Sequence, residues 1–155
     1  MQLTEATEED VPHLRERWYR LAAANEPYSR FNELVYDAPA EVPTEGFESL
    51  LASEDTTVLL VEHDGDSIGF CTLREGEHPS RVYDHYLTIM DLFIAEPHRN
   101  QGHGAAVVDA VRKIARERGC DHLTVSCEWE NVGARRFYRE TGFEEKQVTF
   151  VQAVE

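Results

Sequence analysis

The sequence predicts a single α/β domain over residues 1–155, with the element order β-α-α-β-β-β-α-β-α-β. Three observations support this prediction. The chain of 155 residues is long enough to bury one core without disulfides or metal. Hydrophobic residues make up 41% of it without forming a membrane-length run. Apolar residues recur at strand spacing in some segments and at helical spacing in others.

The predicted strands are short runs of β-branched and aromatic residues bounded by turn residues. Asp64-Gly65-Asp66, between two such runs, is typical of a hairpin turn. In chain order the predicted strands are Gln2 to Glu5, Thr56 to His63, Ser67 to Arg74, Val82 to Ala95, His122 to Glu128 and Phe143 to Val154. The last of these alternates well enough to pair across a dimer edge, so a homodimer is compatible with the sequence.

The predicted helices rest on apolar residues three and four apart and on the residues at their ends. Thr7 and Asp10 form a variant of the capping box, and Pro27 disfavours helical geometry just before it. Thr44 is a suitable N-cap, and Gly119 a suitable C-terminal stop. The expected helices are residues 7–25, 44–53, 104–118 and 132–140.

The charge of the chain excludes some partners. Thirty acidic residues against 15 basic ones give a net charge of −15. An acidic surface repels nucleic-acid phosphates, so we expect no nucleic-acid partner. Lys113 and Lys146 are the only lysines. This scarcity favours adaptation to high salt over the alternative, electrostatic steering of a cationic substrate.

The N-terminus lacks the basic and apolar regions of a signal peptide, and no apolar run suits a membrane span. We therefore expect a cytoplasmic protein without a membrane partner. The cysteines at 71, 120 and 127 show no Cys-x-x-Cys spacing, which predicts free thiols and no metal site. His98 and His103 flank a bend, where exposed loop histidines are expected rather than metal ligands.

Residues 99–104, Arg-Asn-Gln-Gly-His-Gly, join a predicted strand to a predicted helix. The first amides of a helix have no intrahelical partner, and the helix dipole adds positive charge, so such a turn binds anions. Gly102 and Gly104 allow a ligand to approach the backbone. The turn lacks the Lys-Ser/Thr of a P-loop, and Val107 replaces the third glycine of the dinucleotide fingerprint. A phosphate site of another kind is predicted.

A second motif lies about thirty residues further on. Residues 131–138 read Asn-Val-Gly-Ala-Arg-Arg-Phe-Tyr, and residues 141–143 read Thr-Gly-Phe. The patterns Arg-x-x-Gly-x-Gly and Asn-x-x-Ala-x-x-Phe-Tyr-x-x-x-Gly-Phe, in this order, resemble the GNAT superfamily, whose members move an acyl group from CoA to an amine. The resemblance is specific over residues 82–150 and coarse before them. It implies a mixed, mostly antiparallel sheet that is splayed at the acyl-CoA site.

The resemblance also implies acetyl-CoA as co-substrate, without metal, and positions for its contacts. Strand amides would contact pantetheine, turn amides would hold the pyrophosphate, and the Asn131 side chain would contact the cofactor. Arg99, and either Arg135 or Arg136, would reach phosphate, with surface ion pairs as the alternative. The expected cofactor-binding residues are Leu92, Phe93, Ile94, Arg99, Asn100, Gln101, Gly102, His103, Gly104, Ala105, Asn131 and Arg135.

Tyr138 occupies the family's tyrosine position and is the expected proton donor to the CoA sulfur, since a phenol is protonated at neutral pH. The general base is less defined. Many relatives have a glutamate at the positions of Met90 or Ser126, and both are absent here. Asp91 and Glu128 are the nearest substitutes, and a base acting through water is the remaining alternative.

The segment at 26–43 contains three prolines and predicts an irregular connection. In the family this segment covers the acceptor side, so Tyr28, Phe31 and Tyr36 are expected to form the acceptor wall. The sequence does not distinguish a small amine from a protein or peptide amine, nor acetyl from a longer acyl donor. The expected function is direct acetyl transfer to a primary amine in a ternary complex. The alternative is a non-catalytic acyl-CoA-binding regulator or sensor, which the missing glutamates favour and Tyr138 opposes.

Overall fold

The computed structural model describes all 155 residues and contains five strands and four α-helices. The strands are β1 Gln2–Glu5, β2 Thr56–His63, β3 Asp66–Glu77, β4 His85–Ile94 and β5 His122–Val125. The helices are α1 Val11–Asn25, α2 Glu45–Ala52, α3 His103–Glu117 and α4 Val132–Glu140. Short 3₁₀ segments lie at Glu8–Asp10, Glu26–Tyr28, Arg30–Asn32, Pro39–Glu41 and Glu96–His98.

The five strands form one sheet in which spatial order follows chain order. The first four strands pair antiparallel, whereas β4 and β5 run parallel and are connected through α3. The predicted α/β fold with a mixed, mostly antiparallel sheet is confirmed. In the β2–β3 turn, Asp64 (φ 52°) and Gly65 (φ 83°) both adopt the left-handed conformation that a two-residue hairpin turn requires.

β4 and β5 separate part of the way along the sheet. Residues 86–89 of β4 pair with residues 122–125 of β5, and β4 then continues to Ile94 with no neighbour on that side. A gap therefore opens beyond the end of β5, and it leaves one backbone edge of β4 without a partner strand. The splay that the resemblance implied is present at this place.

A bulge in β4 changes the face on which its side chains lie. Leu73 of β3 opposes Ile89, while the preceding Thr72 opposes Asp91, so Met90 is an extra residue in β4. Ile89 packs in the core on the α3 face of the sheet, whereas Asp91 lines a cavity beside α1 and α2. Without the bulge, strand alternation would place Asp91 on the same face as Ile89.

Helices cover both faces of the sheet. Val107 and Val111 of α3 are fully buried against Leu87 of β4 on one face. Leu14 of α1 and Phe93 of β4 are buried on the other face. Each such side chain contributes about 1.5–3 kcal/mol when it is removed from water, so the two apolar clusters fix the sheet between its helices.

The predicted helices are confirmed to within a few residues, and Gly119 (φ 75°) ends α3 as expected. Two strand ends were misplaced. β4 begins at His85 rather than Val82, and β5 ends at Val125 rather than Glu128. β5 is short because its neighbour diverges from it at the gap, and sequence alternation carries no information about where two strands part.

The predicted last strand, Phe143 to Val154, is wrong. Residues 143–155 form no regular structure, and residues 144–155 are all exposed. The last backbone hydrogen bond of the chain runs from the Phe143 N–H to the Tyr138 carbonyl. A strand needs a neighbouring strand for its backbone hydrogen bonds, and no strand of this chain pairs with the segment.

No helix combines the length and apolar character that a membrane span requires. The cysteines are free, as expected: Cys71 is buried, Cys120 is half-buried and Cys127 is exposed.

Candidate active site

The glycine-bearing turn presents free backbone donors at the start of α3. Asn100 (φ 61°) and Gly102 (φ 83°) are both left-handed, and no side chain caps the helix. The N–H groups of residues 100–105 donate to no acceptor within the protein. Together with the helix dipole, these donors give the turn the properties of an anion site.

The two glycines of the turn have different structural reasons. An added Cβ at Gly102 would meet no atom within 4 Å, so its left-handed φ is what requires glycine. A Cβ at Gly104 would lie 3.1 Å from a ring carbon of Phe137. Gly104 therefore allows α4 to pack closely against α3, a role that the motif did not reveal.

Arg99 is tied to the end of β4. Its Nε donates to the Ile94 carbonyl at 2.7 Å, and its guanidinium lies 5.4 Å from the centre of the Phe93 ring. This contact fixes the chain between β4 and the turn. The side chain stays exposed, so its remaining N–H groups are accessible to an anion.

The expected cofactor contacts on α4 also have partners within the protein. Asn131 caps the helix, because its Oδ1 accepts the Ala134 N–H at 3.0 Å. The Arg135 guanidinium lies 3.8 Å from the centre of the Trp129 ring and 3.8 Å from a Glu145 carboxylate oxygen. Both side chains organise the start of α4 as it stands.

Tyr138 is half-buried among aromatic rings. It meets Phe137 and Phe143 edge-on, at centroid distances of 5.1 and 5.5 Å. Burial, together with the nearby thiols of Cys127 and Cys71, raises the pKa of Tyr138 well above its ordinary value. The phenol is consequently a proton donor, not a phenolate, throughout the physiological pH range.

Asp91 is the second residue of β4 beyond its last pair with β5. Burial raises the pKa of this carboxyl, and the neighbouring Thr72 hydroxyl offsets part of the shift. The Asp91 charge also contributes to the pKa of Cys71, which burial raises to about 12. Asp91 and Tyr138 thus both lie close to the middle of β3, where Cys71 is fully buried.

Glu128, the other candidate base, follows β5 and holds the segment at 26–43. Its Oε1 accepts from the Asn32 Nδ2 at 2.7 Å, and the same amide donates to the Asn25 carbonyl at 2.9 Å. The sequence gave no sign of this bridge, because 96 residues separate its two ends. Glu128 is therefore engaged in positioning a loop.

An apolar cavity of about 340 Å³ lies between α1, α2 and the sheet, with Asp91 in its lining. Eight of its 12 lining residues are hydrophobic, and the aromatic rings among them belong to Trp18, Tyr36, Phe47 and Phe70. Trp18 and Phe47 were missed because an aromatic residue on the apolar face of a helix looks the same in sequence whether it lines a pocket or fills a core.

The structure brings together only part of the predicted acceptor wall. Tyr36 lines the cavity, whereas Tyr28 and Phe31 are not among its lining residues. Phe31 is 44% exposed, and the Arg30 guanidinium covers its ring at 4.6 Å.

His103 is buried, so the expectation of an exposed loop histidine was wrong for this residue. It is 8% exposed, its ring lies 4.6 Å from that of His63, and its Nε2 has no hydrogen-bond partner. Desolvation and the neighbouring His63 lower the pKa of His103. The first residue of α3 packs against β2, which the loop-like sequence around it did not indicate.

One group of potential metal ligands lies away from the turn. Ligand atoms of Glu75, His85 and Cys120 come within 4.8 Å of one another, beside the first residue of β4. The Arg118 guanidinium approaches Glu75 to 3.4 Å, so this carboxylate already has a cationic partner in the protein.

The gap between β4 and β5 joins an anion-binding turn near one face of the sheet to an apolar pocket on the other. This arrangement is that of the acyl-CoA-dependent transferases which the two sequence motifs resemble. The model of the Acetyltransferase (GNAT) family matches residues 15–143, which is most of the chain. The protein therefore belongs to the GNAT acetyltransferase family.

Individual relatives agree with this assignment. The uncharacterized N-acetyltransferase YhfO of Bacillus subtilis (strain 168) is 29% identical over 129 residues, which cover 80% of this chain and 84% of YhfO. A variant of the protein BH1408 from Bacillus halodurans superposes with a TM-score of 0.86 at 18% identity, over 99% of this chain and 100% of that one. The aminoglycoside N-acetyltransferase AAC(6')-Iy, in complex with CoA, gives a TM-score of 0.71 at 17% identity, over 99% of both chains. At such identities the two solved structures show the fold alone.

Proposed function

We propose that the protein is an acetyl-CoA-dependent N-acetyltransferase that passes the acetyl group directly to a primary amine in a ternary complex. One observation carries the proposal: the gap beside β4 connects the free amides of the turn to a pocket that holds a carboxyl. Two substrates can thus meet at the gap from opposite sides. Family membership, and the CoA bound to AAC(6')-Iy, support acetyl-CoA as one of them.

The residues present fit an acyl-CoA. The free N–H groups of residues 100–105 would hold the pyrophosphate, and the unpaired edge of β4 from Leu92 to Ile94 would bond to the pantetheine amides. Arg99 and Asn131 would keep their present partners while their remaining N–H groups face the cofactor. Arg135 would have to leave Trp129 or Glu145 to reach phosphate.

Bound acetyl-CoA supplies a thioester carbonyl, and the new C–N bond forms as the C–S bond breaks. A backbone N–H near Leu92 or Phe93 stabilises the oxyanion. Asp91 accepts the proton that the amine nitrogen loses, and its raised pKa makes it a stronger base than an exposed carboxylate. Tyr138 donates a proton to the departing sulfur, so the products are a neutral amide and a neutral thiol.

We favour Asp91 over Glu128 as the base because Asp91 lines the pocket, whereas Glu128 is bonded to Asn32. Comparison of Asp91→Asn with Glu128→Gln tests this choice, and the larger loss of kcat identifies the base. Equal, small losses in both variants would leave a base that acts through water.

A non-catalytic acyl-CoA-binding regulator is the second candidate function. The observation in its favour is that neither Met90 nor Ser126 supplies the glutamate found at these positions in many relatives. Calorimetric titration of acetyl-CoA, followed by a thiol-release assay over a panel of amines, separates the two. Binding with amine-dependent thiol release supports the enzyme, binding without release supports the regulator, and no binding contradicts both.

The remaining expectations belong to the same proposal. They are acetyl as the donor group, no metal in the reaction, a cytoplasmic location, adaptation to high salt, no nucleic-acid partner and a homodimer.

A further inference from the structure

We propose that the acceptor is a small primary amine carried on an apolar, aromatic body, and that it binds in the cavity between α1 and α2. This inference rests on the proposed function and narrows its substrate. It separates this chain from relatives named for aminoglycosides, which are polyhydroxylated cations.

The walls of the cavity favour an aromatic ring. Trp18 and Phe47 meet at a centroid distance of 6.3 Å with their planes at 77°, and Phe70 lies behind them, 2% exposed. Such rings bind another ring by edge-on or offset contacts. A volume of about 340 Å³ is at the lower end for a small-molecule site, so it suits a single small ligand.

The polar groups of the cavity match one ammonium group and no more. Asp91 is the only charged residue in the lining, and Thr72 is its immediate neighbour. A substrate with several ammonium and hydroxyl groups would leave most of them without partners here, which binding sites penalise strongly. An amine with one cationic end and an apolar body pairs its nitrogen with Asp91 and fills the remaining space.

The cavity is closed at one side by the segment that follows α1. Val42, 5% exposed, holds this segment against α1, and Tyr36 contributes to the lining. An extended peptide needs an open groove on both sides of the reacting nitrogen. The enclosed shape therefore favours a small molecule over a lysine or N-terminus of a protein.

The first test compares kcat/KM for 2-phenylethylamine, tryptamine, ethylamine and sisomicin in the thiol-release assay. We expect the two aromatic amines to exceed ethylamine and sisomicin by about tenfold or more, since apolar pocket contacts are worth factors of that size. A preference for sisomicin would overturn the inference and leave the acetyltransferase proposal standing. Loss of acetyl-CoA binding would instead contradict the proposed function.

Two variants locate the effect in the cavity. Phe47→Ala removes part of the wall, and Gly46→Leu fills space, because a Cβ at Gly46 would meet no atom within 4 Å. Both should raise KM for 2-phenylethylamine by about tenfold with a smaller change in kcat. The matched control is Tyr83→Ala, which removes a 65% exposed ring beyond the start of β4 and should leave KM unchanged.

Direct binding gives a readout that does not depend on turnover. Titration of 2-phenylethylamine into the protein saturated with CoA should show one site, weakened in Gly46→Leu. Gly46→Leu removes no packed side chain, so it addresses the cavity even where Phe47→Ala fails to fold. Equal binding to wild type and Gly46→Leu would contradict the proposed location.

A second inference comes from a separate observation, the unpaired C-terminal segment of residues 144–155. We infer that in solution this segment pairs as a strand with β5 of a second copy of the chain. Val148 and Phe150, two residues apart and therefore on one strand face, are 55% and 91% exposed. An isolated chain gains nothing from exposing these side chains.

The surface that would receive the segment is the outer edge of β5. This strand pairs only with β4, so its other backbone edge is open, and its four residues are only half-buried. An open edge is a template for a further strand. Exchange between two copies related by twofold symmetry satisfies both edges and both segments at once, which an unrelated partner does not.

The oligomeric state of the full-length chain tests this inference by light scattering during size-exclusion chromatography. We expect a dimer for the wild type and a monomer for the double variant Val148→Glu/Phe150→Glu. Val35→Glu, at another exposed apolar position (86% exposed), is the matched control and should remain dimeric. A monomeric wild type, or a double variant that stays dimeric, would overturn the inference.

Discussion

At the residue scale, burial shifts two ionisable groups in the same direction with different consequences. The raised pKa of Tyr138 keeps its phenol in the form that can give a proton, so burial supports the role of acid. The raised pKa of Asp91 strengthens it as a base but makes its charged form costly in the folded state. The same physical effect thus favours activity at both positions and stability at neither.

Tyr138→Phe tests the acid directly. The variant keeps the ring contacts with Phe137 and Phe143 and loses only the hydroxyl. We expect kcat to fall by about 10²–10⁴-fold, the usual contribution of a general acid, while the Kd for acetyl-CoA measured by calorimetry stays unchanged. Tyr83→Phe serves as the control. A kcat within a few-fold of wild type would assign the proton transfer to another group.

Asp91→Asn should separate activity from stability. A carboxyl whose pKa is raised on folding contributes stability that is fully present below its unfolded pKa and is lost as pH rises through the folded pKa. At pH 7 the ionised Asp91 therefore destabilises the fold. We expect Asp91→Asn to raise Tm at pH 7 and to lower kcat. The difference in Tm should shrink at pH 4, and a lower Tm at pH 7 would contradict this account.

At the element scale, the start of α3 depends on backbone conformation rather than on side chains. Gly102 supplies the left-handed turn, and Gly104 allows α4 to pack against the helix. The donors of the expected phosphate site are main-chain groups, so the chemistry of the site depends on how these two glycines shape the turn.

Gly102→Ala and Gly65→Ala form a matched pair. Both glycines have φ 83°, and at both an added Cβ meets no atom within 4 Å. Each substitution should therefore reduce the free energy of unfolding by about 1–2 kcal/mol, as measured by urea denaturation. Only Gly102→Ala should also weaken acetyl-CoA binding, because only its turn carries the free amides. Equal affinity in the two variants would place the phosphates elsewhere.

At the scale of the whole molecule, the net charge of −15 sets the conditions under which the fold is stable. Like charges repel one another over about 10 Å at 0.1 M salt and over about 3 Å at 1 M. Screening of this repulsion should favour the compact state, in agreement with the salt adaptation expected from the lysine-poor composition.

Urea denaturation in about 0.1 M and 1 M KCl measures this effect. We expect the free energy of unfolding to increase with salt, since screening removes repulsion that is larger in the folded chain. An equal concentration of uncharged osmolyte, matched in osmolality, controls for effects unrelated to charge. Equal stability in both salts would mean that the acidic residues are already balanced by local ion pairs.

The local elements could be predicted from the sequence, since capping residues, turn glycines and periodicity act over a few positions. Asp64-Gly65 gives a hairpin and Gly119 ends α3, because each of these backbone angles depends on neighbouring residues. The two motifs identified the family for the same reason, as their spacing is fixed within single turns and helices. The last strand could not be predicted, because its partner is not specified by the segment itself.

The sequence by itself determined the fold class, the family and the chain segments that form the turn. The tertiary structure decided which carboxyl lies in a pocket, which aromatic rings form its wall and whether Glu128 is free. Asp91 reached the pocket face through a bulge at Met90, and Glu128 was engaged by a residue 96 positions away. Local rules cannot express such outcomes, since they depend on contacts between segments that only the complete fold brings together.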